Sequence, residues 1–458
     1  NSTKNSIRKM KNPVSNFCKF VTSALLFVAF TQPVFSQAIP VTIQQDADGN
    51  WTLFRNNEPY YVKGVGGSVE LDKAVSIGAN SIRTWGIDNA GEILDAAQEK
   101  GLTVLLGLWL QHERHGFDYD NAEKVKQQLA HFTEVVEKYK NHPALLAWGV
   151  GNEVDLFYTN TNVWYAVNDI AKMIHEKDPN HPTMTVTAGL DTIETRLLLE
   201  RCPEIDIYGI NTYGDLGNVA KQLRTTKWNK PYMITEWGPN GHWEVQKTIW
   251  QVPVEQSSSE KAISYKERYA KYIAGDRKMC MGSYVFLWGQ KQETTATWYG
   301  LFDEKGLSSQ AVDELERIWT GKEPINTAPV LTDVKLNGQQ KGDSVLIQPF
   351  STCSAIATAT DANGDKLKYV WEVVYESTDI KAGGDVEAKP AALKGLGIKT
   401  KGNTVTFTAP EKEGPYRLYL FIYDGEGHYA YQNIPFYVLP GDAATDKGPG
   451  VMWKKQGL

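Results

Sequence analysis

A chain of 458 residues, 41% hydrophobic and 22% charged, has room for two or three domains and an ordinary globular composition. Its net charge of −6 has the wrong sign for holding a phosphate backbone, which excludes nucleic acid as a partner. Cys202, Cys280 and Cys353 share no metal-like or redox-like spacing, so free buried thiols are expected, with no disulfide framework, no metal and no cofactor.

The first 36 residues read as a leader. Arg8, Lys9, Lys11 and Lys19 precede an apolar run over 20–35, and no acidic residue occurs before Asp46. This is the pattern of a cleaved secretory signal, 1–36, which predicts a secreted or periplasmic protein. The run is shorter than the roughly 20 residues a membrane span needs, and Thr31, Gln32 and Pro33 interrupt it. No stable membrane insertion is therefore expected after cleavage.

From residue 41 alternating apolar positions, with turn signals at 46–50 and 56–57, predict a hairpin leading into a first buried strand at 61–65. Short apolar runs then alternate with helical patterns. Strands are predicted at 80–84, 102–108, 146–155, 183–187, 205–211, 232–236 and 282–287. Helices are expected at 89–100, closed by Gly101, along the face carrying Val125, Leu129, Phe132, Val136 and Tyr139, and at 308–320. Eight such repeats predict a parallel (β/α)8 barrel within 37–322.

Two of these strands end on acids. The stretch LAWGVGNEVD climbs to Asn152 and Glu153, and PYMITEW closes on Glu236, placing one carboxylate at the end of the fourth strand and one at the end of the seventh. In a parallel barrel both face the same mouth. A glycosidic bond needs one carboxylic acid to protonate the leaving oxygen and a second carboxylate to attack or to activate water. Across one barrel mouth the expected separation is the short one of about 5–5.5 Å, which implies retention of configuration.

With this pair the sequence resembles the clan A glycoside hydrolases, retaining barrels with Asn-Glu ending strand four and Glu ending strand seven. The resemblance implies that Glu153 is the acid/base and Glu236 the nucleophile. It further implies that Arg83 hydrogen-bonds the nucleophile, that Asn152 meets the sugar 2-hydroxyl, that Tyr213 donates to the nucleophile, and that Trp288 forms an aromatic platform under the reacting sugar. Within the clan, PYYVKGV at 59–65, GANSIR at 78–83 and GNEV at 151–154 look like the fungal β-1,3-glucanosyltransferases and also like the barrel domain of family 2 β-glycosidases. Trp85, Trp109, Trp237, Trp243 and Trp298 fall in or near loops after strand ends, where sugar faces could stack on them. His112 opens HERH, read either as a loop at the substrate face or as a solvated turn; its spacing is not that of a zinc helix.

After 322 the pattern changes to short alternating runs without a convincing helix, which predicts an immunoglobulin-like β-sandwich over 323–440 and a loose polar tail over 441–458. DANGDKLKYVW at 361–371 resembles the turn and strand of cadherin-like and polycystic-kidney-disease-type modules; its glycine is misplaced for a calcium loop, so a plain turn is the expected reading. This region offers no paired carboxylates and is expected to be a spacer or an accessory surface. The expected partner is a polysaccharide or oligosaccharide, and oligomeric state is not specified. Three functions are consistent with these residues: a retaining endo-β-glucanase with β-1,3-glucan favoured, a β-glucan transglycosylase using the same pair, and a catalytically inactive carbohydrate-binding protein.

Overall fold

The computed structural model describes residues 37–441; the predicted leader and the tail from 442 onward lie outside them. Strands β1 (Val41–Gln45), β2 (Trp51–Arg55) and β3 (Glu58–Pro59) form a small antiparallel sheet. It closes the end of the barrel opposite the site, because Val41 N donates to Asn180 O and Trp51 N to Lys278 O, both just ahead of barrel strands. Val41 and Leu53 pack there against Val62, Leu105, Ala147, Ile207, Met233 and Met281. That layer fills the barrel interior with side chains.

The barrel strands are β4 (Val62–Gly66), β5 (Ser81–Arg83), β6 (Thr103–Leu108), β7 (Leu145–Asn152), β8 (Thr183–Ala188), β9 (Ile207–Asn211), β10 (Tyr232–Trp237) and β11 (Cys280–Val285). They pair in parallel in chain order, and β11 pairs with β4 to close the ring. Their near-continuous apolar runs follow from burial on both faces, inward against other strands and outward against helices. Helix Ala122–Tyr139 shows the outer layer, burying Phe132, Val135 and Val136 on one face. Helix Gln310–Thr320 likewise buries Val312, Leu315 and Trp319.

The C-terminal part is a two-sheet β-sandwich. One sheet joins β13 (Val330–Leu336), β15 (Thr352–Thr360), β18 (Thr404–Thr408) and β17 (Lys399–Lys401). The other runs through β12 (Ser308–Ser309), β20 (His428–Val438), β19 (Gly414–Tyr423) and β16 (Lys368–Tyr375), with β14 (Val345–Ile347) also on β20. Strand β15 alternates exposed and buried positions as a half-buried strand must. Its inward residues meet those of the facing sheet, Trp371, Val373, Leu418 and Ile434 among them, in one core. At 361–365 the chain makes the expected turn, Asp361 Oδ1 accepting from Asn363 N and Asp365 N. One carboxylate oxygen each of Asp361, Asp365 and the buried Asp424 lie within 4.8 Å of one another.

The sandwich is not an appended spacer. Strand β12 belongs to the chain between the last barrel strand and the last helix, yet it pairs with β20. Between the two halves lies a buried polar network in which Lys261 donates to Glu255, Trp298 O and Tyr431, while Arg417 donates to Glu376, Asn433 and Pro253 O. Asn433 in turn reaches Glu255, joining the two ion pairs across the interface. The three cysteines are free and buried as expected, and among the described residues no helix is long and apolar enough to cross a membrane.

Candidate active site

Both acid-bearing strands lose regular register where they reach the mouth. Strand β7 shifts against β8 between Gly149 and Asn152, and β10 shifts against β9 between Ile234 and Glu236. Such irregularities re-aim the side chains that follow. At Gly151 (φ 80°) and Glu153 (φ 50°) the backbone enters the left-handed region, a strained choice for glutamate that the bond from Glu153 N to Val186 O helps to hold. Asn152 and Glu153 consequently both reach one cleft of about 900 Å³, which Glu236 lines from the other strand.

Glu236 is buried and accepts three charged or polar donors: Arg83 Nη1 at 3.1 Å and Trp85 Nε1 at 2.8 Å on Oε1, and the Tyr213 hydroxyl at 2.9 Å on Oε2. One of these donors is a guanidinium, so the carboxylate is held by a cation as well as by two neutral donors. Burial and the Glu236 carboxylate together hold the Tyr213 hydroxyl protonated, far above the usual phenol range. Arg83 is itself fixed by Thr235 O at 2.6 Å and by Asn152 Oδ1 at 2.6 Å. Asn211 adds a bond from Nδ2 to the same Asn152 oxygen at 3.2 Å, so the amide N–H2 of Asn152 is the group left for a ligand.

Glu153 sits in the opposite electrostatic setting. Among the described residues its one side-chain partner is Asn211 Nδ2 at 2.8 Å, and none of their cations pairs with it. Burial, and next the charge of Glu236, push its carboxyl up to about 8. Two carboxyls on one cleft thus stand in unlike settings, one gripped by three donors and the other pushed up by burial and a neighbouring charge, an asymmetry that suits acid/base chemistry.

Of the residues singled out from sequence, Arg83, Trp85, Asn152, Glu153, Tyr213 and Glu236 come together here. Four do not reach the cleft. Trp237 follows Glu236 in the same strand, and since adjacent side chains point to opposite faces it is turned outward, packed between Tyr265 and Tyr269 with ring centroids 5.4 and 5.8 Å away. Trp288 also faces the outer core, stacking edge-on to Phe302 at 4.7 Å and donating Nε1 to Val69 O. Strand β11 has already ended at Val285, and Phe286 and Leu287 take the cleft position expected for it. His112 is buried behind the wall: its ring stacks on Trp109 at 4.7 Å, and it accepts a bond from Arg114 Nε. Burial pushes it down to about 4, so it is a neutral support for Trp109, which does line the cleft. Trp243 lines the cleft as well, whereas Trp298 is buried beneath it and bonds Asn240 O.

Sequence reading assigned no role to Asn211, although it precedes Thr212 and Tyr213 at the end of β9 and inward-facing strand ends are where such groups belong. It also passed over Glu293 and Lys291, a 2.8 Å ion pair on the cleft wall in the loop after β11. Ile380, Lys381, Ala382, Gly383 and Gly384 of the sandwich line the cleft too. No local signal marks these residues, because only the docking of the sandwich brings them to the barrel.

Residues 71–254 match the family model described as "Glycosyl hydrolases family 2, TIM barrel domain". Similar proteins include a β-galactosidase of Thermoanaerobacterium thermosulfurigenes, 30% identical over 173 residues that cover 36% of this chain and 20% of that protein. A β-glucuronidase of Homo sapiens is 24% identical over 289 residues, 54% of this chain and 41% of its own length. The chain thus spans less than half the length of either relative. In fold it is similar to a calcium-binding mutant of β-glucuronidase 2 of Bacteroides uniformis, with a TM-score of 0.50 at 14% identity over 87% of this chain and 48% of that one. Of the two resemblances within the clan, the family match carries that to family 2 and lends nothing to the glucanosyltransferases. Residues 71–254 of the barrel are thus similar to the family 2 TIM-barrel domain.

Proposed function

We propose that this protein is a retaining β-glycoside hydrolase with Glu236 as nucleophile and Glu153 as acid/base. The observation that carries the reading is the asymmetry of the two carboxyls: three donors converge on Glu236, and Glu153 holds its proton up to about 8. Glu236 attacks the anomeric carbon while Glu153 protonates the departing oxygen; Glu153, now a base, then deprotonates the water that releases the sugar from Glu236. Asn152 offers its amide to the sugar hydroxyl beside the reacting carbon, where a bond that tightens in the transition state accelerates the step.

For the substrate, the size of the cleft, about 900 Å³, supports a glycan extending beyond one sugar, with internal cleavage of a β-glucan as the first reading. The names of the relatives favour a second reading, release of a terminal β-galactosyl or β-glucuronyl residue. Transfer to a sugar acceptor uses the same intermediate. Incubation with laminarin, mixed-linkage glucan, mannan, galactan, and aryl β-galactoside and β-glucuronide, followed by sizing of products, tests these readings together. Shortened polymers support internal hydrolysis, monosaccharide alone supports terminal action, and lengthened chains support transfer. Inactivity on every substrate would return the protein to the binding-only reading. The basic and apolar leader pattern supports a secreted or periplasmic setting for such a substrate.

A further inference from the structure

We infer that the sandwich supplies the binding site for the leaving group, through the segment between β16 and β17; this rests on the glycoside hydrolase reading above. The acid/base stands on the leaving-group side of the scissile bond, because it must reach the departing oxygen. Three and four residues after Glu153 come Leu156 and Phe157, both lining the cleft, and Ile380–Gly384 line the same cleft. The contact between the two walls is close, since a Cβ on Gly383 would lie 2.7 Å from Leu156 Cδ2 and from Arg114 Nη2.

The segment is held as a wall and not left as a free loop. Asp385 receives both terminal nitrogens of Arg114, at 2.8 and 3.2 Å, and His115 Nε2 at 3.1 Å. At its other side Lys291 Nζ donates to Gly384 O at 2.7 Å, and Thr294 N donates to buried Glu387 at 2.6 Å. It therefore bridges the loop after β6 and the loop after β11, a bidentate arginine–carboxylate pair fixing one end and a buried carboxylate the other.

What this wall presents is apolar. Phe157 is 70% and Ile380 49% exposed, both within the cleft. The cationic heads of Lys291 and Lys381, which line it too, are already engaged, by Glu293 and Gly384 O and by Val386 O. Large side chains exposed in a concave site and continuous with the acid fit a leaving group with an apolar face, either the C–H face of a further sugar or an aromatic ring.

The test compares leaving groups on one glycone. The full chain, Ile380→Ser and Asp385→Ala are assayed on β-galactosyl, β-glucuronyl and β-glucosyl fluorides, and then on the phenyl glycoside and the β-linked oligosaccharide of whichever glycone is accepted. Fluoride leaves without occupying the wall. Ile380→Ser is expected to lower kcat/KM for the larger leaving groups about tenfold through KM while the fluoride reaction is unchanged, as loss of one apolar contact predicts. Asp385→Ala should act in the same direction by releasing the wall. A loss confined to the oligosaccharide identifies a sugar as occupant, and one confined to the phenyl glycoside an aryl group. Equal losses on the fluoride, or no loss on any substrate in a folded variant, would overturn the inference. Failure of the unaltered chain on all three fluorides and on every polymer above would instead sink the hydrolase reading on which it rests.

Discussion

The two sides of the cleft are made in different ways. The barrel side consists of single residues at strand ends, Arg83, Asn152, Asn211 and Glu236, locked by hydrogen bonds across neighbouring strands. The sandwich side is a long connection that gains its shape only where it meets the barrel, at Arg114, Lys291 and Thr294. Rigid strand ends suit groups that must be placed to a fraction of an ångström, whereas a docked connection can change its shape without disturbing them. Chemistry and leaving-group selection are thus separable in principle, and variants on the two sides should fail differently.

The largest expected effect lies on the barrel side. Glu236→Gln keeps the shape of the side chain but removes the proposed nucleophile, and turnover of every substrate should fall by at least ~10⁴-fold. Substantial activity of that variant on any substrate would refute the role. Glu153→Ala should instead discriminate by leaving group. Unactivated glycosides should slow by roughly 10²–10⁴-fold, while an activated aryl glycoside still forms the intermediate on Glu236. Azide should then restore turnover and yield the β-glycosyl azide, since attack on an α-linked intermediate from the opposite face retains configuration. An α-azide, seen by NMR, would mean inversion.

On the sandwich side the expected failure is of stability. Arg417→Met leaves Glu376 as a buried carboxylate without its cation, a change that costs about 3–5 kcal/mol, measurable by urea unfolding. A chain ending at Gly321 should fare worse, losing the β20 partner of Ser308–Ser309 and the Asn433 contact of Glu255 together with the cleft wall. Recovery of a folded, fully active truncated chain would show that the barrel stands alone.

The smallest effect sharpens the electrostatics. As the proposed acid, Glu153 must be protonated for the first step, and burial with the Glu236 charge pushes it up to about 8, so kcat/KM should fall as pH rises through that region. Because the Glu236 charge is the second cause of that elevation, Glu236→Gln should move the Glu153 titration to lower pH, visible by difference infrared spectroscopy. An unmoved titration would leave burial as the whole cause.

Local chemistry was enough to place the barrel and its acids. Apolar runs of strand length, helical periodicity between them and two such runs closing on Asn152-Glu153 and Glu236 are all properties of neighbouring residues. Which way the aromatic residues face was not legible. Trp237 and Trp288 lie beside true cleft residues in the chain, yet point outward, because alternation along a strand and the end of β11 decide direction. The sandwich itself could be read from its period of two, but not its part in the cleft. Asp385 meets Arg114 across 271 residues of chain, and nothing in either local sequence encodes that pairing. A strand end projects its own side chains wherever the strand goes, so its pattern is carried locally. A wall formed by docking exists only once both partners have folded and the buried Glu255–Lys261 and Glu376–Arg417 pairs have joined them.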